Sequence, residues 1–167
     1  RARLKAVLVG VDADAELAGF TSHFLASAAY GSGSRAAANG TSGRKEFLNQ
    51  LTDSSLAGDM SVVGDLSGLD VNEVHASGLQ IYSLGWGIDL SKVLSLSATG
   101  RYFLANYVPD GVSRRIGLET DFTVTYAMSD TLSVIAGYDR FFTGKFFRDA
   151  SGSGDDIHYG YLMLQFD

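Results

Sequence analysis

Apolar and polar residues alternate with a period of two over most of this chain. Between Ile116 and Met128, the residues Ile116, Leu118, Phe122, Val124, Tyr126 and Met128 fall on one side, with Thr120 among them. Gly117, Glu119, Asp121, Thr123, Thr125 and Ala127 fall on the other. On a helix these residues would scatter around the axis; on a strand they separate into an apolar face and a polar face. The pattern recurs. Val7, Val9, Val11, Ala13, Ala15 and Leu17 oppose Gly10, Asp12, Asp14 and Glu16. Tyr82, Leu84, Trp86 and Ile88 oppose Ser83, Gly85 and Gly87, and Leu94, Leu96, Ala98, Tyr102 and Leu104 oppose Ser95, Ser97, Thr99 and Arg101. Near the end, Leu162, Leu164 and Phe166 oppose Met163, Gln165 and Asp167.

Strands are predicted at about 4–17, 23–33, 79–90, 93–107, 115–128, 131–146 and 157–167. Several exceed the roughly 5–6 residues usual in soluble sheets and reach the roughly 9–11 that a tilted membrane strand needs. The connections alternate in size. Gly19–Ser22, Asp89–Lys92 and Ser129–Thr131 are short, whereas 34–78, 108–114 and 147–156 are longer. Short periplasmic turns alternating with longer extracellular loops mark an outer-membrane barrel. The expected fold is therefore all-β, an antiparallel up-and-down transmembrane β-barrel, with 1–167 as one barrel domain and 34–78 as a long extracellular loop within it. In that loop Lys45–Leu51 is a candidate short helix, and Met60–Asp65 is the best candidate for a further strand, although too short to span.

Aromatic residues gather towards the predicted strand ends. Phe24, Trp86, Tyr126 and Phe166 lie near the short turns, and Tyr30, Tyr102, Tyr107 and Phe142 near the long loops. Amphipathic rings favour the level of lipid headgroups, so Phe24, Tyr30, Trp86, Tyr102, Tyr126, Phe142 and Phe166 are expected at the two lipid interfaces. A bacterial single-chain barrel has an even number of strands. The odd number predicted makes this chain, on expectation, the C-terminal part of a larger barrel.

Composition narrows the function classes. The 167 residues carry 19 acids against 13 bases, a net charge of -6, which argues against a general nucleic-acid binder. Cysteine is absent, so disulfides and thiolate metal sites are excluded. No run reaches the roughly 18 apolar residues of a membrane helix. Arg1–Lys5 leads straight into strand-like sequence, so any export signal is expected upstream or already removed.

The polar positions carry the candidate chemistry. Asp12, Asp14, Glu16, Arg101, Glu119, Asp121 and Asp139 are the expected pore-lining residues. They either select solutes or supply the polarity that any lumen wall needs. Asp149, Asp155 and Asp156 offer oxygen ligands of the kind calcium takes, or form a solvated loop. His23, His75 and His158 have no metal-ligand spacing, and Ser151–Gly152–Ser153–Gly154 is neither a nucleophile elbow nor a phosphate loop. No catalytic residue, metal or cofactor is expected. Arg114 and Arg115 either lie in a solvated loop at the outer rim or meet lipopolysaccharide phosphates there.

The last sixty or so residues resemble the C-terminal end of the alginate-export family of outer-membrane porins. The residues concerned are Gly117–Leu118–Glu119–Thr120–Asp121, Tyr126–Ala127–Met128–Ser129–Asp130–Thr131–Leu132, Gly137–Tyr138–Asp139–Arg140–Phe141–Phe142–Thr143–Gly144–Lys145–Phe146, Ser151–Gly152–Ser153–Gly154–Asp155–Asp156 and Tyr161–Leu162–Met163–Leu164–Gln165–Phe166–Asp167. Weaker echoes lie at Ala29–Tyr30–Gly31–Ser32–Gly33 and Glu46–Phe47–Leu48. The resemblance implies a barrel of about eighteen strands, of which these are the last seven, and passage of a solute or polysaccharide through its lumen. Such barrels usually end on an aromatic residue; here Asp167 follows Phe166. A polyanion also calls for a basic lining, and this wall is acidic. Either other strands supply the bases or the solute is not a polyanion.

The expected function is thus an outer-membrane porin or export channel rather than an enzyme. Its partners would be outer-membrane lipid, lipopolysaccharide and the solute, with no nucleic acid. The competing expectation is a structural barrel that sheathes or anchors another envelope protein, with its lumen plugged. A soluble β-sandwich, whose apolar faces would meet each other, and a barrel-borne hydrolase are the remaining classes weighed.

Overall fold

The computed structural model describes residues 6–40, 58–60, 62–63 and 66–166. The strands are β1 (Ala6–Leu17), β2 (Phe20–Gly31), β3 (Gly68–Val71), β4 (Val74–Asp89), β5 (Leu94–Tyr107), β6 (Arg115–Ser129), β7 (Leu132–Thr143) and β8 (Ile157–Phe166). Among the described residues two short helices, α1 (Arg35–Ala38) and α2 (Lys145–Ser151), lie in the connections. All strands join one antiparallel, mostly up-and-down sheet in the order β1-β2-β4-β5-β6-β7-β8, with β3 paired only to the start of β4. The sheet is open, and β1 and β8 are its edges.

The turns account for the register. Between β1 and β2 the chain reverses over Ala18 (φ 54) and Gly19 (φ 85), the paired positive angles of the type I′ turn that suits a twisted hairpin. Counting outward from it pairs Leu17 with Phe20 and Asp14 with His23. The β3–β4 hairpin uses Asn72 (φ 46) and Glu73 (φ 65). At Gly78 (φ 68) the backbone lies against that of Gly31 and Gly33, where any Cβ would collide. That approach lets Leu79 N–H bond Leu66 O at 3.1 Å.

Three expectations change at the long-loop end. The strand expected at 131–146 stops at Thr143, and α2 takes over from Lys145. Gly144 N–H bonds Ile116 O at 2.7 Å, turning Phe146 into a buried apolar cluster instead of along the strand. Met60, Val62 and Val63 form no strand; the short strand is β3, further along, stabilised by pairing with a β4 that starts at Val74, inside the expected loop 34–78. At the short-turn end, β2 begins at Phe20 instead of at 23 because the turn is tight. The candidate helix Lys45–Leu51 lies outside the described residues.

The apolar cluster occupies only the long-loop half of one face. Ile81, Phe103 and Phe141 from the sheet meet Val63, Leu66 and Phe146 from the connections. A register shift beside Phe103 and Leu104 brings the extra residue Ile116 into the same cluster. The Phe103 and Phe141 rings meet at a tilt with centroids 5.8 Å apart, and Phe141 meets Phe147 edge-on at 5.9 Å.

Candidate functional site

Paired residues of neighbouring strands share a face, so the register assigns each side chain to one side of the sheet. One row across the strands reads Asp12, Leu25, Gly85, Thr99, Asp121, Asp139, Tyr159. The row nearer the short turns reads Asp14, His23, Gly87, Ser97, Thr123, Gly137, Tyr161. The row nearer the long loops reads Gly10, Ser27, Ser83, Arg101, Glu119, Phe141, Ile157. Glu16 follows beyond Asp14, opposite Thr21, whose hydroxyl donates to it at 2.9 Å. All the residues expected to line a pore therefore lie on this polar face.

Phe24, Tyr30, Trp86, Tyr102, Tyr126, Phe142 and Phe166 have the opposite parity and lie on the other face. Phe24 pairs with Trp86, and Tyr82, Tyr102, Leu118 and Phe142 form a cross-strand ladder. Tyr107 departs from this set: it shares the parity of Phe103 and Ala105, so it belongs to the polar-side alternation at the end of β5.

The two faces are inverted relative to a water-soluble sheet. The apolar face is bare: Leu84 is 72% exposed and Leu162 75%. On the polar face Glu119 and Asp139 are 0% exposed. Polar groups on the apolar face find local partners. Tyr138 Oη lies 2.6 Å from His158 Nδ1, and Arg140 donates to Asp156 at 2.7 Å while its guanidinium stacks 4.2 Å over Phe142.

Charge on the polar face is concentrated at mid-strand. Arg101 is paired with Asp121 in a buried salt bridge. Glu119 Oε1 accepts from Met60 N–H at 3.3 Å, which ties the segment Gly58–Met60 to the wall. Gly58 has φ 85 and sits so close to the Glu119 carboxylate that a Cβ would strike it, so this approach requires glycine. Tyr161 Oη reaches Asp59 at 3.4 Å and Thr123 Oγ1 at 3.4 Å. Among the described residues Asp139 has no hydrogen-bond partner at either carboxylate oxygen, and Glu119 Oε2 has none either.

Nearer the short turns His23 bridges two strands, with Nδ1 2.8 Å from Asp14 and Nε2 3.0 Å from Asp89. These carboxylates lie at opposite ring nitrogens, so they cannot share one metal ion with the imidazole. They border a trough of about 450 Å³ with Asp12, Gly85, Gly87 and Thr99. Sequence reasoning missed His23, Asp89, Asp59 and Tyr161 as members of the wall. The pairing around Ala18–Gly19 was a signal for His23; nothing in the sequence placed Asp59.

The acids at the long-loop end have separate tasks. Asp149 accepts from Lys145 Nζ at 2.8 Å and from Ser113 N–H at 2.8 Å. Those bonds, Lys145 first, hold its carboxyl below the usual range. Asp156 is held low chiefly by its hydrogen bond from Arg140, with Thr143 N–H adding to it. Asp155 accepts from Ser153 Oγ at 2.9 Å. Among the described residues no three metal-ligating side chains converge.

No family model, curated protein or solved structure matches this chain. The resemblance to the alginate-export family accordingly rests on the residues quoted above.

Proposed function

We propose that this sheet is part of the wall of a β-barrel spanning the bacterial outer membrane, with its polar face lining a conduit for hydrophilic solutes. The observation that carries this is the inversion of the faces: an exposed apolar surface continuous from β1 to β8, and charge on the opposite side. Hydrocarbon is the medium in which such a surface costs nothing to expose. The dimensions support it. Leu118, in the Tyr82–Tyr102–Phe142 ladder, and Tyr126 are separated by about 27 Å along β6. A tilt of about 40° reduces this to about 21 Å, close to the roughly 25 Å apolar band of such barrels.

The open edges fit the same proposal. An unpaired strand edge in lipid strands its N–H and C=O groups, so β1 and β8 would pair with further strands to close the barrel. The alginate-export resemblance would set the total at about eighteen. The acidic wall does not favour a polyanion as the solute.

The test is single-channel recording from the purified intact protein in a planar bilayer. Stable conductance is expected. A folded protein that does not conduct, together with rapid labelling of Leu84→Cys by a membrane-impermeant maleimide, would refute the proposal. A second reading, a plugged structural barrel, is favoured by Val63, Leu66 and Phe146 filling the long-loop half of the polar face. It predicts a lipid-shielded Leu84→Cys with no conductance.

A further inference from the structure

We infer that Asp59, Glu119 and Asp139 form a cation-selecting constriction on the polar face, where the inserted segment Gly58–Met60 brings a third carboxylate to two from the wall; this rests on the conduit proposed above. The local charge is unbalanced. Among the described residues, Asp59, Glu119, Asp121 and Asp139 face one guanidinium, Arg101, and that group is engaged by Asp121. Asp139, fully buried in the row between Asp121 and Tyr159, has two carboxylate oxygens with no donor among the described residues. Glu119 uses one oxygen for Met60 N–H and leaves the other unpaired. Buried carboxylate oxygens without donors are costly. The field of these carboxylates attracts a passing cation and repels an anion.

The geometry fits transit rather than storage. No three metal-ligating side chains among the described residues converge into a cage. Conduction needs sites that bind weakly enough to release. The acids continue towards the short turns through Asp12, Asp14, Asp89 and Glu16, so a cation leaving the constriction meets further acceptors. The ligand class is small inorganic or ammonium-type cations.

The experiment is reversal-potential measurement on the intact protein in a planar bilayer under a KCl gradient. The variants are Asp139→Asn, Glu119→Gln and Asp59→Asn, with Glu73→Gln, in the β3–β4 turn, as a charge-matched control. The expected potassium-over-chloride permeability ratio is about threefold or more, reduced at least about twofold in Asp139→Asn or Glu119→Gln and unchanged in the control. Asp59→Asn reads the same quantity from the inserted segment, so a wall variant that fails to fold leaves the inference testable. Conductance with no cation preference, or a preference that survives all three variants, overturns this inference and leaves the conduit standing. A folded protein with no conductance overturns both.

Discussion

Leu84→Arg tests the orientation of the sheet most directly. Leu84 lies near the middle of β4, between Tyr82 and Trp86 on the apolar face, and pairs with Ala26 on one side and Gly100 on the other. These small neighbours leave it 72% exposed, so little protein contact is lost on substitution and the surrounding medium sets the cost. In water an exposed leucine-to-arginine change away from special features alters stability by about 0.5 kcal/mol or less. On a lipid-facing barrel strand near the midplane it costs about 2–4 kcal/mol. That corresponds to about 30- to 900-fold in the folding equilibrium. Ser97→Arg is the internal control: Ser97 sits on the polar face in the same row as Asp14, and a cation there should cost under about 1 kcal/mol. The assay is urea titration of folding into phosphatidylcholine vesicles, followed by the resistance of the folded form to unfolding on gels. Trp86, the one tryptophan of this sequence, reports the same face through quenching by brominated lipid. Refutation would be a Leu84→Arg cost no larger than that of Ser97→Arg.

Arg101→Met leaves the buried Asp121 carboxylate without its partner and should cost about 3–5 kcal/mol in the same titration; a cost under about 1 kcal/mol would mean that water already reaches the pair. Gly58→Ala places a methyl group on the Glu119 carboxylate at a positive φ and should release the inserted segment. Hydrogen exchange at Met60 N–H should then accelerate while exchange within β6 holds, and an unchanged Met60 amide would show that the contact does not tie the segment down. Asp149 and Asp156 are both held below the usual carboxylate range, so each is more acidic folded than unfolded. Their support for the long loops is complete above the unfolded value of about 3.9 and is lost as pH falls through the lower folded value. Exchange at Ser113 and Thr143 N–H, corrected for its intrinsic rate, should stay flat from about pH 7 to 5 and rise below about 4. An identical profile in Asp149→Asn would exclude Asp149 as the cause at Ser113.

The parity of side chains was readable from sequence because a period of two runs through β1, β5, β6 and the second half of β4. Glu119 and Asp121 alternate with Leu118, Thr120 and Phe122 whatever the tertiary context, so the face of each follows once the strand is recognised. Element ends were less legible because tertiary contacts set them. The expected strand carried on after Thr143 to Phe146, yet Phe146 is buried in a cluster assembled from Val63, Leu66, Phe103 and Ile116, residues far apart in the chain. β3 was missed for a related reason. Gly68–Val71 is only 4 residues long, and its stability comes from pairing with β4 beyond the point where β2 ends. Asp59 could not be placed at all, since its position depends on a glycine fitting under one carboxylate.

The placement of the apolar cluster separates the proposed barrel from a soluble sandwich. In a sandwich the elements that cover a sheet are drawn to its apolar face, because that burial drives the packing. Here Val63, Leu66 and Phe146 instead cover the face that carries Glu119 and Asp139, and they do so only at the long-loop end, where that face becomes apolar through Ile81, Phe103 and Phe141. The face of Leu84, Leu162 and Phe166 receives none of these elements. Its cover would have to come from a second apolar sheet or from lipid. Strands of 10–16 residues, apart from β3, exceed what a sandwich of this size requires. Under the proposed tilt the aromatic positions of β6 also lie about 21 Å apart, close to the apolar band of a barrel, a spacing that a second sheet would have no reason to demand. On the proposed barrel reading, lipid accounts for both the length and the spacing, and the face opposite it is the one that carries the charge.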